Sequence, residues 1–465
     1  KDLLTLNKLV KKLARRLKIV KDPIDRMTEV KEITDKVSPT FCLAKWHHTT
    51  IYLQTGETHS CYHPAPHLIP LHELENNPSA LHNTMEKKAQ RKEMLEGKQP
   101  DGCKYCWNIE CMGKDYVSDR HERNAGIYTK DRLSEIVSND WQYDINPEYI
   151  EVSFGNECNL KCGYCHPKAS SSYFKEIEQF GPYDMVQNHA FDTRRMRIFK
   201  KEDENPYVEA WWKWWPEVSK TLNILRITGG EPLLQQSTWR LLDDLDKNPK
   251  PNLEININSN LAIKTILVER LADKVNKLVA ENKIKKFKLF TSLDTWGKPA
   301  EYIRTNLDLT VWEKNFDTWM TRTDQPITFM VTFNILCVTT FQELLQKFLD
   351  WRQKYQTGER RIRFDTPYLK EPIQYDMNIL PKSFMSYMES HLAFIESNID
   401  EYDPNKFTKL EYQKFRRVVD YMKTTTYDDA TLEIGRKDFV AWFKEHDRRR
   451  GTDFAKTFPE LCNIF

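Results

Sequence analysis

No stretch of this 465-residue chain is apolar for long enough to cross a membrane. The longest apolar run, Ile327 to Val338, spans 12 residues and contains Thr and Asn, whereas a membrane helix needs about 20 apolar residues. Mean hydropathy is −0.69. A signal peptide is also missing, because the basic N-terminus has no continuous apolar run behind it. The chain starts at Lys1 rather than Met, so residues before it are expected. Net charge is nearly absent at +2, which argues neither for nor against nucleic acid. No internal repeat of fixed period is present, so repeat architectures are set aside.

What is present is the material for a large core. Hydrophobic residues make up 40% and aromatic residues 12%, so most of the chain is expected to be ordered, in two or three domains. Of ten cysteines, eight fall between Cys42 and Cys165 in short C-x2-C and C-x3-C groupings. Without secretion signals, such clustering reads as metal or cluster ligation in a reducing compartment.

Residues 1–40 are basic, with Leu3, Leu4, Leu6, Leu9, Val10, Leu13 and Leu17 at helical spacing. The plain reading is an amphipathic helix with a solvated basic face; the functional reading is a docking helix for an acidic partner. This segment is too short for a leader-binding domain. Residues 41–125 are rich in Cys, His and Pro and read as loops with short strands, with a charged helix from Thr84 to Gly97. Extended stretches then recur at Tyr149–Phe154, Asn223–Thr228, Leu253–Asn258, Lys286–Ser292, Ile327–Leu336 and Arg361–Asp365, mostly separated by helical patterns. That alternation predicts an α/β fold with a parallel sheet or barrel, and six strands fall short of a complete eight-stranded barrel. The link 167–222 is unusually long and holds Arg194, Arg195 and the Trp211, Trp212, Trp214, Trp215 cluster; core packing of these tryptophans against the barrel is the leading reading. From about Pro381 the chain is helical and heavily charged, and it includes Arg448, Arg449 and Arg450.

The chemistry concentrates in Cys158, Cys162 and Cys165. Thiolates select zinc or iron–sulfur clusters, and a closed structural site would need a fourth ligand nearby. Three thiolates on a four-iron cluster leave one iron open. A zinc knuckle or three unrelated cysteines is the bland alternative. One βα unit later comes Thr228-Gly-Gly-Glu-Pro232, whose glycines permit close backbone approach to a ligand and whose Glu231 offers an acceptor for an ammonium group.

The triplet with Tyr164 before its last cysteine, followed by Gly229-Gly230-Glu231, resembles the radical S-adenosylmethionine (SAM) superfamily. The resemblance implies a partial (β/α)6 TIM-like barrel and a SAM-binding [4Fe–4S] cluster held by the three cysteines. It also implies reductive cleavage of SAM to methionine and a 5′-deoxyadenosyl radical, which takes a hydrogen atom from the substrate. By the same resemblance Tyr164, Gly229, Gly230, Glu231, Ser259, Ser292, Asp294 and Arg304 contact SAM. Glu231 takes the amino group, and Ser292 with Arg304 takes the carboxylate, where a guanidinium fork suits the ligand. Asp294 holds the ribose hydroxyls or faces the substrate.

A second pattern, Cys42-x13-Gly56-x4-Cys61 followed by Cys103-x2-Cys106, resembles the auxiliary-cluster module called SPASM when full and twitch when shortened. Gly56 allows a tight hairpin between the ligating strands. The resemblance implies one auxiliary [4Fe–4S] cluster on Cys42, Cys61, Cys103 and Cys106. The same four thiolates would satisfy zinc. The module departs from the usual arrangement by preceding the barrel, and Cys111 is left over. His47, His48, His59, His63 and His67 lie close by in sequence, and one of them is a potential replacement ligand. Phe41-Cys-Leu-Ala-Lys-Trp46, Gly102-Cys-Lys-Tyr-Cys-Trp107, Asp447-Arg-Arg-Arg-Gly451 and Phe458-Pro-Glu-Leu461 extend the resemblance to twitch-domain proteins of phage and environmental genomes, although the tail motifs show no evident chemistry. Cys337, at the end of the fifth strand, is a candidate hydrogen-atom donor, its alternative being a small buried hydrophobe. Cys462 is expected to be inert.

The expected organisation is a basic helical segment at 1–40, an auxiliary-cluster domain at 41–125, a radical SAM core at 146–375 and a helical region at 376–465. The expected substrate is a ribosomal peptide. A nucleotide, nucleoside or other small metabolite is the alternative, and a zinc-containing nucleic-acid-binding protein is the reading from another class. A flavodoxin or ferredoxin is the expected electron donor. The expected location is the cytoplasm, that of the host if the chain is phage-encoded, with neither membrane nor nucleic acid as a partner.

Overall fold

The computed structural model describes residues 23–113, 117–187, 196–355 and 358–464. The leucine repeat of residues 3–17 and the Arg194–Arg195 pair lie outside the described residues. Backbone contacts divide the chain into two units that interleave in sequence. One takes the residues up to Ile51, Gly56–Glu151 and Pro206–Leu222; the other takes Tyr52–Thr55, Val152–Asn205 and Asn223–Phe465.

The first unit is built from short elements. A helix Ala44–His47 leads into β1 (His48–Tyr52), which is followed by β2 (Glu57–His59) and, antiparallel to β2, β3 (His67–Leu68). Gly56 stands between β1 and β2 at φ 70°. A Cβ there would fall 2.2 Å from the ring of Tyr207, so both the left-handed backbone and the close ring require glycine. The charged segment forms the helix Met85–Leu95, where the Thr84 hydroxyl accepts from the Lys87 amide and caps the first turn. A 3-10 turn Asp101–Cys103 continues into the helix Lys104–Glu110. The tryptophan-rich helix Pro206–Val218 belongs to this unit. Trp211, Trp214 and Trp215 are buried, Trp214 Nε1 donates to Asn146 Oδ1 at 3.0 Å, and the Tyr207 hydroxyl donates to the Ile69 carbonyl at 2.9 Å.

In the second unit, each of the six stretches expected to be extended contains a strand. β4 (Tyr149–Ser153) ends here, and β5 (Lys161–Cys162) follows it. Then come β6 (Ile224–Thr228), β7 (Lys250–Ser259), β8 (Ile284–Ser292), β9 (Arg304–Thr305), β10 (Ile327–Met330) and β11 (Ile362–Asp365). β6, β7, β8, β10 and β11 are parallel neighbours in that order, with the end of β4 beside β6. Parallel neighbours need crossover connections, supplied by the helices Gln236–Lys247, Thr265–Ala280, Leu309–Arg322 and Phe341–Lys354. The register aligns Ile227, Ile257, Leu289, Ile327 and Ile362 in one row, all buried. The next row, Asn258, Phe290, Thr328 and Arg363, points to the opposite face and is largely polar. β5 and β9 form a separate antiparallel pair that sets Lys161 opposite Thr305 and Cys162 opposite Arg304.

The fifth long strand is shorter than its apolar run. β10 stops at Met330 because the Thr332 amide donates to Asp294 Oδ1 at 2.9 Å. Asn334 Oδ1 then accepts from the Leu336 amide and starts a 3-10 turn, Ile335–Cys337. The charged end of the chain folds into helices Met385–Ser397, Lys409–Thr424 and Asp429–Arg450, the last closed by Gly451 in the left-handed region. Among the described residues no helix is long and apolar enough to cross a membrane.

Candidate functional site

In the second unit a cavity opens at the C-terminal ends of the parallel strands. Its volume is about 210 Å³. Cys158, Cys162 and Cys165 line it from the loop after β4, with Tyr164 between them. Thr228, Gly229 and Gly230 line it from the end of β6, Asn258, Ser259 and Asn260 from β7, Ser292 from β8, Arg304 from β9 and Thr332 from beyond β10. The cysteine loop is held by backbone bonds. The Cys158 amide donates to Ser171 Oγ at 3.1 Å, and the Ser172 hydroxyl donates to the Cys158 carbonyl at 2.6 Å.

The two glycines have a tighter constraint than a ligand's approach. The Gly230 amide donates to the Gly155 carbonyl at 3.2 Å and the Glu231 amide to the Glu157 carbonyl at 2.7 Å. A Cβ on Gly230 would lie 2.2 Å from the Glu157 carbonyl oxygen, and one on Gly229, at φ 118°, would lie 2.6 Å from Ser153 Oγ. The glycines thus let the β6 loop lie directly against the cysteine loop.

Glu231 departs from its expected role. It is fully buried, outside the cavity lining, and its carboxylate accepts from the Leu233 amide at 3.1 Å and the Asn260 amide at 2.7 Å. It ties the end of β6 to the end of β7. Burial raises its carboxyl to about 7 against the lowering pull of those amides. Asp294 departs as well. Fully buried and outside the lining, it accepts from Arg304 Nη2 at 2.9 Å, the Tyr164 hydroxyl at 2.8 Å and the Thr332 amide. Its oxygens orient Arg304 and Tyr164 instead of reaching the cavity.

Arg304 does line the cavity. Its Nη2 also donates to the Tyr164 hydroxyl at 2.5 Å, and Nη1 lies 3.7 Å from Cys162 Sγ. Among the described residues its buried Nε has no hydrogen-bond partner, a donor of the kind that normally has one. Burial is the leading cause that pushes the three thiols up, with Cys162 adding to the rise at Cys158 and Cys165, and Cys165 reaches about 12. Loading of a metal here therefore displaces thiol protons. Three soft donors, an orphaned guanidinium N–H and a ring of backbone and hydroxyl groups suit a cluster with one open position and a ligand carrying a carboxylate.

Cys337 falls outside this arrangement. With its strand cut short, it sits in the 3-10 turn, fully buried and off the cavity lining. Burial pushes its thiol well up. It is buried as a small hydrophobe would be and does not line the cavity.

The first unit holds a second, much smaller cavity of about 20 Å³, with Cys42, Cys61, Cys103 and Cys106 in its lining. These four come from the approach to helix Ala44–His47, the end of β2, and the turn and helix at 101–110. Phe41, Leu43, Trp46, Met94 and Trp107 pack in the same apolar cluster as Cys103 and Cys106. Lys45, Arg120 and Arg123 add positive charge to the lining. Burial, reinforced by Cys61 and Cys103, raises the Cys42 thiol to about 12, and burial raises Cys106 to about 11. Four soft donors and cationic walls fit a tetrathiolate centre of net negative charge. Of the five neighbouring histidines only His63 lines the cavity, stacked on Tyr105 and 2.8 Å from Asp119. Cys111 is exposed on the helix end and outside the lining; the Cys462 thiol donates to the Pro459 carbonyl. Among the described residues, no three His, Cys, Asp or Glu side chains already converge as a closed metal shell.

Sequence reasoning overlooked Thr228 and Thr332 in the lining, and the Tyr375 and Trp442 pair behind Gly163. A Cβ on Gly163 would lie 1.8 Å from the Tyr375 hydroxyl, which accepts from Trp442 Nε1 at 3.0 Å. Polar residues just beyond apolar strand runs were the available signal for the threonines; nothing local marked the aromatic pair.

No family model matches the chain. A stretch of 132 residues is 30% identical to the GTP 3′,8-cyclase of Clostridium acetobutylicum, covering 28% of this chain and 32% of that protein. The match thus spans about a third of the relative's length. Among solved structures, anSMEcpe with bound AdoMet and the Kp18Cys peptide has a TM-score of 0.33 at 12% identity, covering 68% of this chain and 99% of that one. Streptococcus suis SuiB bound to the precursor peptide SuiA has a TM-score of 0.35 at 15% identity, covering 68% and 62%. The maturase HydG of Carboxydothermus hydrogenoformans has a TM-score of 0.29 at 12% identity, covering 82% and 88%. At such scores the likenesses to solved structures carry no argument about function.

Proposed function

We propose that the chain is a radical SAM enzyme with a partial (β/α)6 barrel and one auxiliary [4Fe–4S] cluster. The observation that carries this reading is the shared cavity: three thiols of one loop, Gly229–Gly230, Ser259, Ser292 and Arg304 face one space at the strand ends. Active sites of parallel barrels occupy this end. Cys158, Cys162 and Cys165 hold the cluster, which when reduced supplies the electron that cleaves SAM. Ser292 and Arg304 take the carboxylate of SAM, and the polar β7 end from Asn258 to Asn260 offers further hydrogen bonds. The backbone at Gly229–Gly230 takes the amino group, in place of the buried Glu231. Asp294 and Tyr164 fix the plane of the guanidinium.

Cys42, Cys61, Cys103 and Cys106 hold the auxiliary cluster. All ten cysteines are free of disulfides, in keeping with a reducing cytoplasm and an electron donor such as flavodoxin or ferredoxin. The twitch-like cysteine pattern supports a peptide substrate. A nucleotide is the second reading, favoured by the local similarity to a GTP cyclase.

Anaerobic reconstitution tests the proposal. The expected outcome is a brown protein with about eight irons per chain that forms 5′-deoxyadenosine when reduced with SAM. A colourless zinc protein without SAM cleavage would overturn it. Mass spectrometry of peptides and nucleotides incubated with the reduced enzyme then separates the two substrate readings.

A further inference from the structure

The tail motif Asp447-Arg448-Arg449-Arg450-Gly451 has no part in the site just described, yet the structure gives it a definite task. Arg450 is fully buried with Glu176: Nε and Nη2 donate to its two oxygens, both at 2.9 Å. Lys161 Nζ meets the same carboxylate at 2.9 Å. The remaining nitrogen, Nη1, donates to the Lys161 carbonyl at 2.6 Å and to Thr305 Oγ1 at 3.0 Å. Lys161 and Thr305 are partners across the β5–β9 ladder, and the next pair on that ladder is Cys162 with Arg304. One guanidinium therefore spans both strands that carry a cluster thiol and the cavity's arginine.

Two further contacts come from the same face of the helix Asp429–Arg450. His446 Nε2 lies 3.3 Å from Thr305 Oγ1, and Trp442 Nε1 holds the Tyr375 hydroxyl against Gly163. Residues 442, 446 and 450 follow i, i+4, i+8 spacing, which puts all three on one stripe. Asp447 adds a bond from the Tyr302 hydroxyl at 2.8 Å, just before β9.

We infer that this stripe is a positioning clamp: Arg450, assisted by His446 and Trp442, sets the β5–β9 ladder so that Cys162 and Arg304 face the cavity together, and thereby sets the affinity for SAM. The inference rests on the reading of the cavity as a SAM site. Arg450 touches neither cofactor nor substrate, and it acts through Lys161, Thr305 and Glu176. Partners that orient ligands in this way typically change affinity ten- to a hundredfold when lost.

The test uses Arg450→Met, Arg450→Lys and Arg450→Met/Glu176→Gln in the anaerobically reconstituted enzyme. Hydrogen exchange at the Gly163 amide, which donates to the Ile303 carbonyl at 2.9 Å, reads the ladder directly. Titration of the reduced cluster's electron paramagnetic resonance signal with SAM reads the site. All three variants are expected to lose Gly163 protection and to raise half-saturating SAM roughly tenfold, with kcat for 5′-deoxyadenosine changed less than KM. Unchanged protection in Arg450→Met overturns the clamp. Full recovery in the double variant also overturns it, because burial of a lone Glu176 charge would then be the whole effect. Full recovery in Arg450→Lys does the same, since lysine keeps the charge but cannot span both strands. If wild-type protein shows no response to SAM while Gly163 still loses protection in the variants, the cofactor reading fails and the clamp on the ladder stands.

Discussion

The two thiol-lined cavities use the same donor atom in opposite surroundings. The three-thiol cavity takes its cysteines from one loop and the rest of its wall from the ends of successive strands, rich in Asn, Ser and Thr. The four-thiol cavity gathers cysteines from separated short elements and sets them among Met94, Trp107 and the cations Lys45, Arg120 and Arg123. On the reading proposed above, the first would take a polar, exchangeable ligand and the second a resident group. Cysteine count alone therefore does not tell the two sites apart; the origin of the thiols and the residues that wall them do.

The sharpest way to break this contrast is to remove the thiols of each site in turn. Cys158→Ala/Cys162→Ala/Cys165→Ala protein is expected to form no 5′-deoxyadenosine by liquid chromatography; persistent SAM cleavage would remove the basis for calling this cavity the reactive one. Cys42→Ala/Cys61→Ala protein is expected to lose about four irons per chain and still cleave SAM without coupling it to product. If iron content is unchanged, the second cavity holds no cluster.

Smaller changes sharpen the comparison within the polar site. Gly230→Ala drives a methyl into the Glu157 carbonyl, only 2.2 Å away, and the cysteine loop must move. Misplacement on the order of 1 Å costs roughly a hundredfold in rate, so kcat/KM for SAM is expected to fall by about that factor while auxiliary iron stays. Equal iron loss from both sites would mean a global defect instead.

The smallest expected effect is on acid stability. Burial pushes Glu176 up, but the Arg450 fork and Lys161 outweigh it and leave the carboxyl at about 2. A lowered folded value means the native state binds fewer protons than the unfolded chain in this window. Its contribution is thus present above about 4.5 and lost as pH falls toward about 2. Wild-type protein should therefore lose more Tm across that window than Glu176→Gln. Parallel melting curves would show that this pair does not set the acid sensitivity.

Much of the second unit was legible because strand signals are local. Apolar runs such as Ile224–Thr228 and Lys286–Ser292 announce themselves, and the cysteine spacing marks the loop that follows β4. The strand bounds failed where tertiary contacts outcompeted propensity: Asp294 captures the Thr332 amide and ends β10 early, which removes Cys337 from the strand. The surroundings of Glu231 were hidden for a related reason. A carboxylate after two glycines looks available to a ligand, but its fate depends on amides of another strand, Asn260 among them. Trp211, Trp214 and Trp215 are core residues as expected, but of the first unit rather than against the barrel, a membership that depends on Asn146 and Ile69, far away in sequence. The tail was opaque for the same cause at a larger scale, since every partner of Arg450 lies at least 145 residues upstream.

That distance bears on synthesis. Arg450 bonds to a carbonyl 289 residues earlier, and a ribosome adding 5–20 residues each second takes about 15–60 s to cover that span. Throughout that interval the thiol loop exists without the residue that braces its ladder. If these three cysteines take a cluster, the bracing of their ladder is complete only once the helix Asp429–Arg450 has been made.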